Sequence, residues 1–311
     1  MVIIPKRLQY GDKIGIVSPS GPILPTTKLQ LEKGIKFLKG LGFDVVLGKN
    51  ALKIDEFSSG TPEERAEDLH SMFADKEIKA ILCSQGGNVA NSILPLLKWN
   101  IIKRNPKIFM GLSDITTLLN PISSKTGLVT FHGNDVMWGF GRDPTAYDKK
   151  EFVDRLVNGK IGKVSKNSSW KTIRGGIAEG ILMGGNVHCI SKLAGTKYFP
   201  DFSNSILFLE AYRIKPENCY EIFYQFEQLG IFNKIKGMII GYIYGLQAKP
   251  KSAIQMEDVL SKVTKEYGYD FPIIKSDDFG HNCPNTVLPI GVKARINADK
   301  KELEILSECV K

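Results

Sequence analysis

The sequence KIFMGLSDITTLL, residues 107–119, joins an apolar run to an amphipathic run through a single serine. The apolar run up to Gly111 is short enough for a buried strand, and the segment from Asp114 has the pattern of a helix. Ser113 lies at the junction, where the backbone N–H groups of a helix start stabilise negative charge. A nucleophilic serine with half of an oxyanion hole requires this arrangement. A serine after a strand is also a common N-cap, so the stretch alone leaves both interpretations open.

Strand-like and helix-like segments alternate through the first part of the chain. Four short apolar runs predict strands at residues 13–18, 44–48, 79–83 and 108–110. The segments between them have helical periodicity, and the one that begins at Thr61 has a capping-box pattern. This alternation predicts an α/β fold with a mostly parallel sheet flanked by helices. Ligands bind at the carboxyl ends of the strands in such sheets, where Ser113 and residues 84–87 both fall.

The composition and periodicity of the sequence change after residue 138. Residues 139–176 are polar and weakly periodic, which predicts a crossover between two domains. Beyond the crossover, short strands dominate, and two helices interrupt them. The predicted elements are strands at 177–183, 205–209, 237–241 and 273–274, a hairpin at 292–305, and helices at 216–229 and 256–267. We therefore expect a domain over residues 1–138 that carries Ser113, and an α+β domain around a curved sheet over residues 177–311.

Composition excludes several classes of protein. Apolar residues make up 42% and charged residues 24% of the 311-residue chain, as in soluble globular proteins. No apolar run approaches the ~20 residues of a membrane span, and the first residues lack a secretory-signal pattern. Five scattered cysteines without a C-x-x-C pair favour a reducing cytosol. The net charge of +9 is spread along the chain, so we expect no nucleic-acid partner. Together these features predict a cytoplasmic protein without a membrane partner, and we expect neither a metal nor a cofactor.

Two residues of the second half are candidates to activate Ser113. His281 lies in the sequence DDFGHNCPN, residues 277–285, where a loop bounded by glycine and proline displays an imidazole beside two carboxylates. Glu210 ends an apolar strand, and a carboxylate there is costly without a partner. It is therefore a candidate to orient a histidine. His132 also ends a strand-like segment and precedes a loop.

Four segments together resemble the LD-carboxypeptidase family of serine peptidases, which includes the microcin C immunity proteins. They are GDKIGIVSPS at 11–20, SQGGN at 84–88, GLSD at 111–114 and DFGH at 278–281. Two more segments fit the same family, LMGGN at 182–186 and LFLE at 207–210. The matches cover nearly the whole chain in the order of the family, so their combination is far more specific than any single motif.

The resemblance implies a catalytic triad of Ser113, Glu210 and His281 that spans the two domains. In the implied reaction, Ser113 attacks an amide carbonyl, His281 transfers the proton, and Glu210 holds the imidazole in its productive tautomer. The backbone N–H groups of Gly87 and Asp114 would hold the oxyanion. The resemblance also implies an N-terminal domain like class I glutamine amidotransferases and a smaller, barrel-like C-terminal domain. We expect a homodimer that acts on a small substrate.

The sequence defines the substrate less closely. The loop SQGGNVAN, residues 84–91, departs from the Arg-Gly-Gly-Tyr-Gly loop of carboxypeptidases that cut tetrapeptide stems and is closer to the immunity-protein branch. The implied substrate is either a murein-derived L,D-peptide or an aminoacyl-nucleotide conjugate. Candidate substrate contacts are Gly86, Asn88, Arg213, which would pair with a carboxylate, and Trp170. Core packing is the alternative for Trp170 and for Trp138, a second candidate for stacking.

Two other classes of site stay open at this point. The pair Gly86-Gly87 would cradle a phosphate ahead of a helix, which would make the first domain a non-catalytic nucleotide-binding module. The Lys-Ser/Thr pair that follows in phosphate-binding loops is missing from this segment. Asp277, Asp278 and His281 would instead ligate a metal, although adjacent carboxylates point to different sides of a strand.

Overall fold

The computed structural model describes residues 2–311, which form two β-sheets with helices packed around them. Six strands form the first sheet: β1 (Lys13–Val17), β2 (Asp44–Leu47), β3 (Ile78–Cys83), β4 (Ile108–Gly111), β5 (Thr130–His132) and β12 (Leu288–Ile290). Their order is β12-β5-β4-β3-β1-β2, and all neighbours are parallel except β12, which runs antiparallel to β5. The predicted parallel α/β sheet is therefore confirmed. β4 is buried along its whole length, and each large apolar side chain buried there contributes about 1.5–3 kcal/mol.

Eight strands form the second sheet: β6 (Gly162–Lys163), β7 (Lys171–Arg174), β8 (Ile177–Asn186), β9 (Ser205–Ala211), β10 (Gly237–Ile243), β11 (Ile273–Gly280), β13 (Lys293–Asn297) and β14 (Glu302–Ile305). Their order is β6-β14-β13-β8-β9-β10-β11-β7, and the central run from β8 to β11 is parallel. The predicted hairpin of β13 and β14 is present. Each crossover between the central strands passes through a helix, and the outer strands pair antiparallel, so the sheet of this half is mixed.

The second sheet has β6 and β7 as its two edges. Within residues 2–311, no strand pairing joins these two edges, so the sheet is an open one.

Among the described residues, ten α-helices cover the sheets. They are α1 (Lys28–Gly40), α2 (Pro62–Ala74), α3 (Trp99–Arg104), α4 (Thr116–Thr126), α5 (Ala146–Phe152), α6 (Val187–Lys192), α7 (Pro216–Gln228), α8 (Ile231–Lys234), α9 (Tyr244–Gln247) and α10 (Met256–Glu266). The predicted capping box at the start of α2 is present, since Glu64 N–H donates to the Thr61 hydroxyl and Thr61 N–H to the Glu64 carboxylate. Within residues 2–311, no helix has the length and apolar character needed to cross a membrane.

The two halves of the chain exchange elements. The segment 139–176, which the sequence predicts to be a crossover, contains α5 and also supplies β6 and β7 to the second sheet. In return, β12 from the second half extends the first sheet. One apolar core runs through both halves, from Ile14 in β1 to Ile305 in β14. The domain boundaries at residues 138/139 and 176/177 stay a prediction.

Candidate active site

Ser113 occupies a strained turn between β4 and α4. Its φ is +65°, in the left-handed region that residues other than glycine rarely adopt. Such a conformation costs on the order of 1–3 kcal/mol and is concentrated at functional sites. The backbone of Gly86 packs directly against this turn, because a Cβ at Gly86 would lie 2.6 Å from the Ser113 Cβ. The turn and the loop that contains Gly86 therefore form one surface at the carboxyl end of the first sheet.

Glu210 and His281 meet at the carboxyl end of the second sheet. Glu210 lies near the end of β9 and is fully buried, and His281 directly follows β11. His281 Nδ1 lies 2.6 Å from Glu210 Oε2, and the Asn186 side-chain amide donates to Glu210 Oε1 at 3.0 Å. Because an ionised carboxylate only accepts hydrogen bonds, this contact places the proton on Nδ1. Nε2 of the neutral ring is then free to accept a proton from another group.

The environment of the pair favours the ionised form of both groups. Burial lowers the pKa of His281, but the negative charge of Glu210, their hydrogen bond and the charge of Asp135 together raise it above its ordinary value of 6.5. Burial raises the pKa of Glu210, but the charge and hydrogen bond of His281 lower it by more than burial raises it. The pKa of Glu210 is therefore below its ordinary value. His281 is therefore a stronger base than a free histidine.

One cavity of about 870 Å³ brings the two ends together. Ser113 and His281 both line it, together with Gly86, Gly87 and Asn88 of the first half. Cavities of roughly 300–1,000 Å³ accommodate drug-sized ligands. The arrangement can therefore hold a small molecule against a serine hydroxyl, a histidine ring and two backbone loops.

Close packing of the two halves of the chain explains why Ser113 and His281 line the same cavity. A Cβ at Gly185 would lie 2.4 Å from the Thr116 hydroxyl, so glycine allows the end of β8 to approach the start of α4. The Asn186 N–H donates to the same hydroxyl at 3.0 Å, and the Asn120 amide donates to the Gly184 carbonyl at 2.8 Å. These contacts join α4, which follows Ser113, to β8. The last residue of β8 is Asn186, which donates to Glu210.

Two of the candidate substrate contacts lie outside the cavity wall. Trp170 is 5% exposed and its indole N–H donates to Asp278 Oδ2 at 2.6 Å, so its ring packs in the core, which is the alternative that the sequence left open for it. Arg213 lies over the ring of Tyr212, 5.1 Å from its centroid, while Tyr212 itself lines the cavity. A carboxylate bound in the cavity would therefore meet Tyr212 before the guanidinium. Sequence patterns carry no signal for which neighbour on a loop turns inward.

Trp138 is the tryptophan that lines the cavity. Its side chain is 41% exposed, and its indole N–H donates to Gln85 Oε1 at 2.8 Å. This hydrogen bond fixes the ring beside the 84–88 loop. Tyr212, which the sequence did not single out, packs its ring 4.8 Å from the His281 ring on another part of the wall.

The three residues of the alternative metal site have separate partners. Asp277 pairs with the Lys275 ammonium, Asp278 accepts from the indole of Trp170, and His281 binds Glu210. Across residues 2–311, the structure contains no group of three or more histidine, cysteine, aspartate or glutamate side chains placed to hold a metal ion. The donor set in this region therefore does not converge on one point.

Comparisons with known proteins agree with the resemblance read from the segments. The family model described as the LD-carboxypeptidase N-terminal domain matches residues 14–133, and the model of the C-terminal domain matches residues 179–296. The microcin C7 self-immunity protein MccF of Escherichia coli is 32% identical, over 97% of this chain and 95% of that protein. A probable murein peptide carboxypeptidase of Bacillus subtilis is 31% identical, over 96% and 92%. A solved structure of MccF in complex with aspartyl sulfamoyl adenosine superimposes with a TM-score of 0.92 at 29% identity, covering 99% of this chain and 100% of that one.

Proposed function

The chain belongs to the LD-carboxypeptidase family of serine peptidases, and from this premise we propose that it hydrolyses an amide bond in a small substrate with Ser113, Glu210 and His281. The observation that carries the proposal is the 2.6 Å contact between Glu210 and His281 at a cavity that Ser113 also lines. A serine on a strained turn, a base and an orienting carboxylate are the parts of a nucleophilic triad. We also propose that the protein acts in the cytoplasm and that it forms a homodimer. Sedimentation equilibrium measures the mass of the assembly and so tests the homodimer.

The proposed reaction is acyl transfer to Ser113 followed by hydrolysis. His281 Nε2 accepts the hydroxyl proton while Ser113 Oγ bonds to the carbonyl carbon, and Glu210 stabilises the imidazolium that forms. The backbone N–H groups of Gly87 and Asp114 donate to the oxyanion. The C–N bond then breaks, and the imidazolium gives its proton to the leaving amine. Water attacks the acyl-serine in the same way, with His281 again accepting the proton, and this step regenerates the hydroxyl.

We favour an aminoacyl-nucleotide conjugate as the substrate over a murein L,D-peptide. Trp138 supports this choice, because its ring lies at the cavity wall in a position fixed by Gln85. Such a ring stacks on a nucleobase, whereas the stem of a murein peptide offers no aromatic ring. Leu24 and Phe57 line the same cavity and are both exposed, which adds apolar surface around a base.

A comparison of two substrates tests this choice. We expect a higher kcat/KM for aspartyl sulfamoyl adenosine than for an L,D-tetrapeptide. Trp138→Leu should raise KM for the conjugate about ten-fold, because stacking of a base on an aromatic side chain contributes roughly 1–3 kcal/mol. The same substitution should leave KM for the tetrapeptide unchanged. Preferred turnover of the tetrapeptide would select the murein substrate, and nucleotide binding without turnover of either would select the binding-module alternative.

Gly86→Ala should lower kcat/KM by about 100-fold, because misplacement of a catalytic group by ~1 Å has an effect of this size. A Cβ at this position would lie 2.6 Å from the Ser113 Cβ and 2.9 Å from its hydroxyl oxygen, so the turn or the loop must move. Gly40→Ala is the matched control, since a Cβ there has nothing within 4 Å. Steady-state kinetics of both variants measure the effect, and equal activities would show that Gly86 does not set the position of Ser113.

A further inference from the structure

The carboxylate next to the nucleophile is held by a cation from the other half of the chain. Asp114 is fully buried, and its Oδ2 accepts from the Ser20 hydroxyl at 2.6 Å and from the Ala90 N–H at 2.8 Å. Its Oδ1 lies 2.5 Å from the Lys192 ammonium, which comes from the last residue of α6. A buried carboxylate that loses its cation strongly destabilises its surroundings, so this ion pair fixes the geometry around Asp114.

The same ammonium makes a second contact with the active-site loops. Lys192 Nζ also donates to the Asn88 carbonyl at 3.0 Å, immediately after Gly86 and Gly87. One cation therefore binds both backbone segments that carry the proposed oxyanion donors, the Gly87 loop and the Asp114 turn. Lys192 lies outside the cavity wall, so any effect on a bound substrate must act through these segments.

The other end of α6 is tied to the Glu210–His281 pair. Asn186 caps this helix, with its Oδ1 accepting from the Cys189 N–H, while its amide donates to Glu210 Oε1 at 3.0 Å. Six helical residues span only about 9 Å at 1.5 Å per residue. A single short helix therefore links the histidine–carboxylate pair at one end to the nucleophile turn at the other.

We propose that Lys192 is a positioning residue for the oxyanion hole. Its ammonium holds the Asp114 turn and the Asn88 carbonyl at the spacing at which the N–H groups of Gly87 and Asp114 meet one oxyanion. The proposal rests on the proposed function, because it assigns Lys192 a role in the same reaction. It differs from a purely stabilising ion pair in predicting a loss of transition-state binding without a loss of substrate binding.

Lys192→Met should lower kcat about 100-fold, in the range of a lost oxyanion donor, with KM within threefold of wild type. Lys192→Arg keeps the charge and should recover at least ten-fold of the lost kcat. Lys107→Met is the matched control. Lys107 is a buried lysine that binds backbone carbonyls at the opposite end of β4 from Ser113, so its loss should lower Tm and leave kcat unchanged.

Inhibitor binding separates positioning from stability. A boronic acid that forms a tetrahedral adduct with Ser113 should bind Lys192→Met about 100-fold more weakly, while an uncleaved substrate analogue should keep its Kd. The double variant Lys192→Met/Asp114→Asn removes both charges and retains the Asp114 N–H, so it should fold stably and still lack the activity.

Three results would overturn the inference. They are an unchanged kcat in folded Lys192→Met, equal weakening of the boronic acid and the substrate analogue, and full activity of the double variant. Wild-type protein that neither hydrolyses the substrates nor reacts with a fluorophosphonate at Ser113 would overturn the proposed function, and the role of Lys192 with it. An active wild type with an unaffected Lys192→Met would overturn the role of Lys192 alone.

Discussion

Ser113→Ala is expected to lower kcat/KM for amide hydrolysis by about 10⁴- to 10⁶-fold, because loss of a triad nucleophile removes the covalent route. The fold should persist. Among residues 2–311, the structure gives the Ser113 hydroxyl no hydrogen-bond partner, so alanine leaves no buried polar group unsatisfied. Steady-state kinetics measure the loss, and thermal unfolding checks that the variant keeps the wild-type Tm.

The matched control for this variant is Ser124→Ala. Ser124 lies on α4 beyond the turn and donates to the Asn120 carbonyl within the same helix. It should keep wild-type activity and react with a fluorophosphonate, whereas Ser113→Ala should not react. More than a tenth of wild-type activity in Ser113→Ala would show that another group is the nucleophile.

The sequence predicted the part of the site that depends on local pattern. The apolar run before Gly111 predicts β4, and the tight junction after it predicts the turn at which Ser113 has a positive φ. Glu210 was singled out because a carboxylate at the end of an apolar strand needs a partner, and His281 lies 2.6 Å from it. Both inferences use the energetic cost of an arrangement along one short segment, which the local sequence carries.

The pattern of one short segment does not predict contacts between segments that are distant in the sequence. Asn186 lies in a segment matched to the family, yet its bond to Glu210 depends on the in-register pairing of β8 with β9. Lys192 looks like any lysine at the end of a helix until the two halves pack. β12 is three residues long and joins the first sheet from the far end of the chain. A segment of three residues has no periodicity that would indicate which of the two sheets it joins.

The two tryptophans show the same limit in a different form. The sequence leaves both stacking on a substrate and core packing open for Trp170 and for Trp138. The indole of Trp170 satisfies Asp278, a buried carboxylate that also accepts from the Asn167 N–H. Trp138 lies on the cavity wall because Asp135 caps the turn that contains it, accepting from the N–H groups of Trp138 and Gly139. Which tryptophan faces a ligand is decided by the hydrogen-bond partner each one finds.

Glu210→Gln is expected to lower kcat about 10⁴-fold, because an amide oriented by its neighbours cannot enforce the tautomer or stabilise the imidazolium. The pH profile should change in a definite direction. In the wild type, only neutral His281 accepts the serine proton, so kcat/KM falls as the pH drops through its raised pKa, above 6.5. The substitution removes the charge of Glu210, which is the main influence that raises the pKa of His281, and keeps the burial that lowers it. The ascending limb should therefore move to lower pH.

Other titrating groups around the ring must be separated from this effect. Burial lowers the pKa of His132 to about 4, so His132 is neutral across the range of interest. Burial raises the pKa of Asp135 to about 6, despite hydrogen bonds from Trp138 and Gly139 that lower it, so this cavity carboxylate titrates near the same pH. Asp135→Asn should shift the limb of the wild-type profile slightly downward, since one negative charge beside His281 is lost.

The controls for Glu210→Gln distinguish catalysis from folding. Asp68→Asn removes another buried carboxylate, which binds Asn50 away from the cavity, and should lower Tm without moving the pH profile. The rate of fluorophosphonate labelling of Ser113 against pH gives the limb even where turnover is slow. A limb that stays in place in Glu210→Gln would mean that His281 is not the base whose ionisation is measured. A limb that moves down while labelling persists would tie the base strength of His281 to the carboxylate at the end of β9.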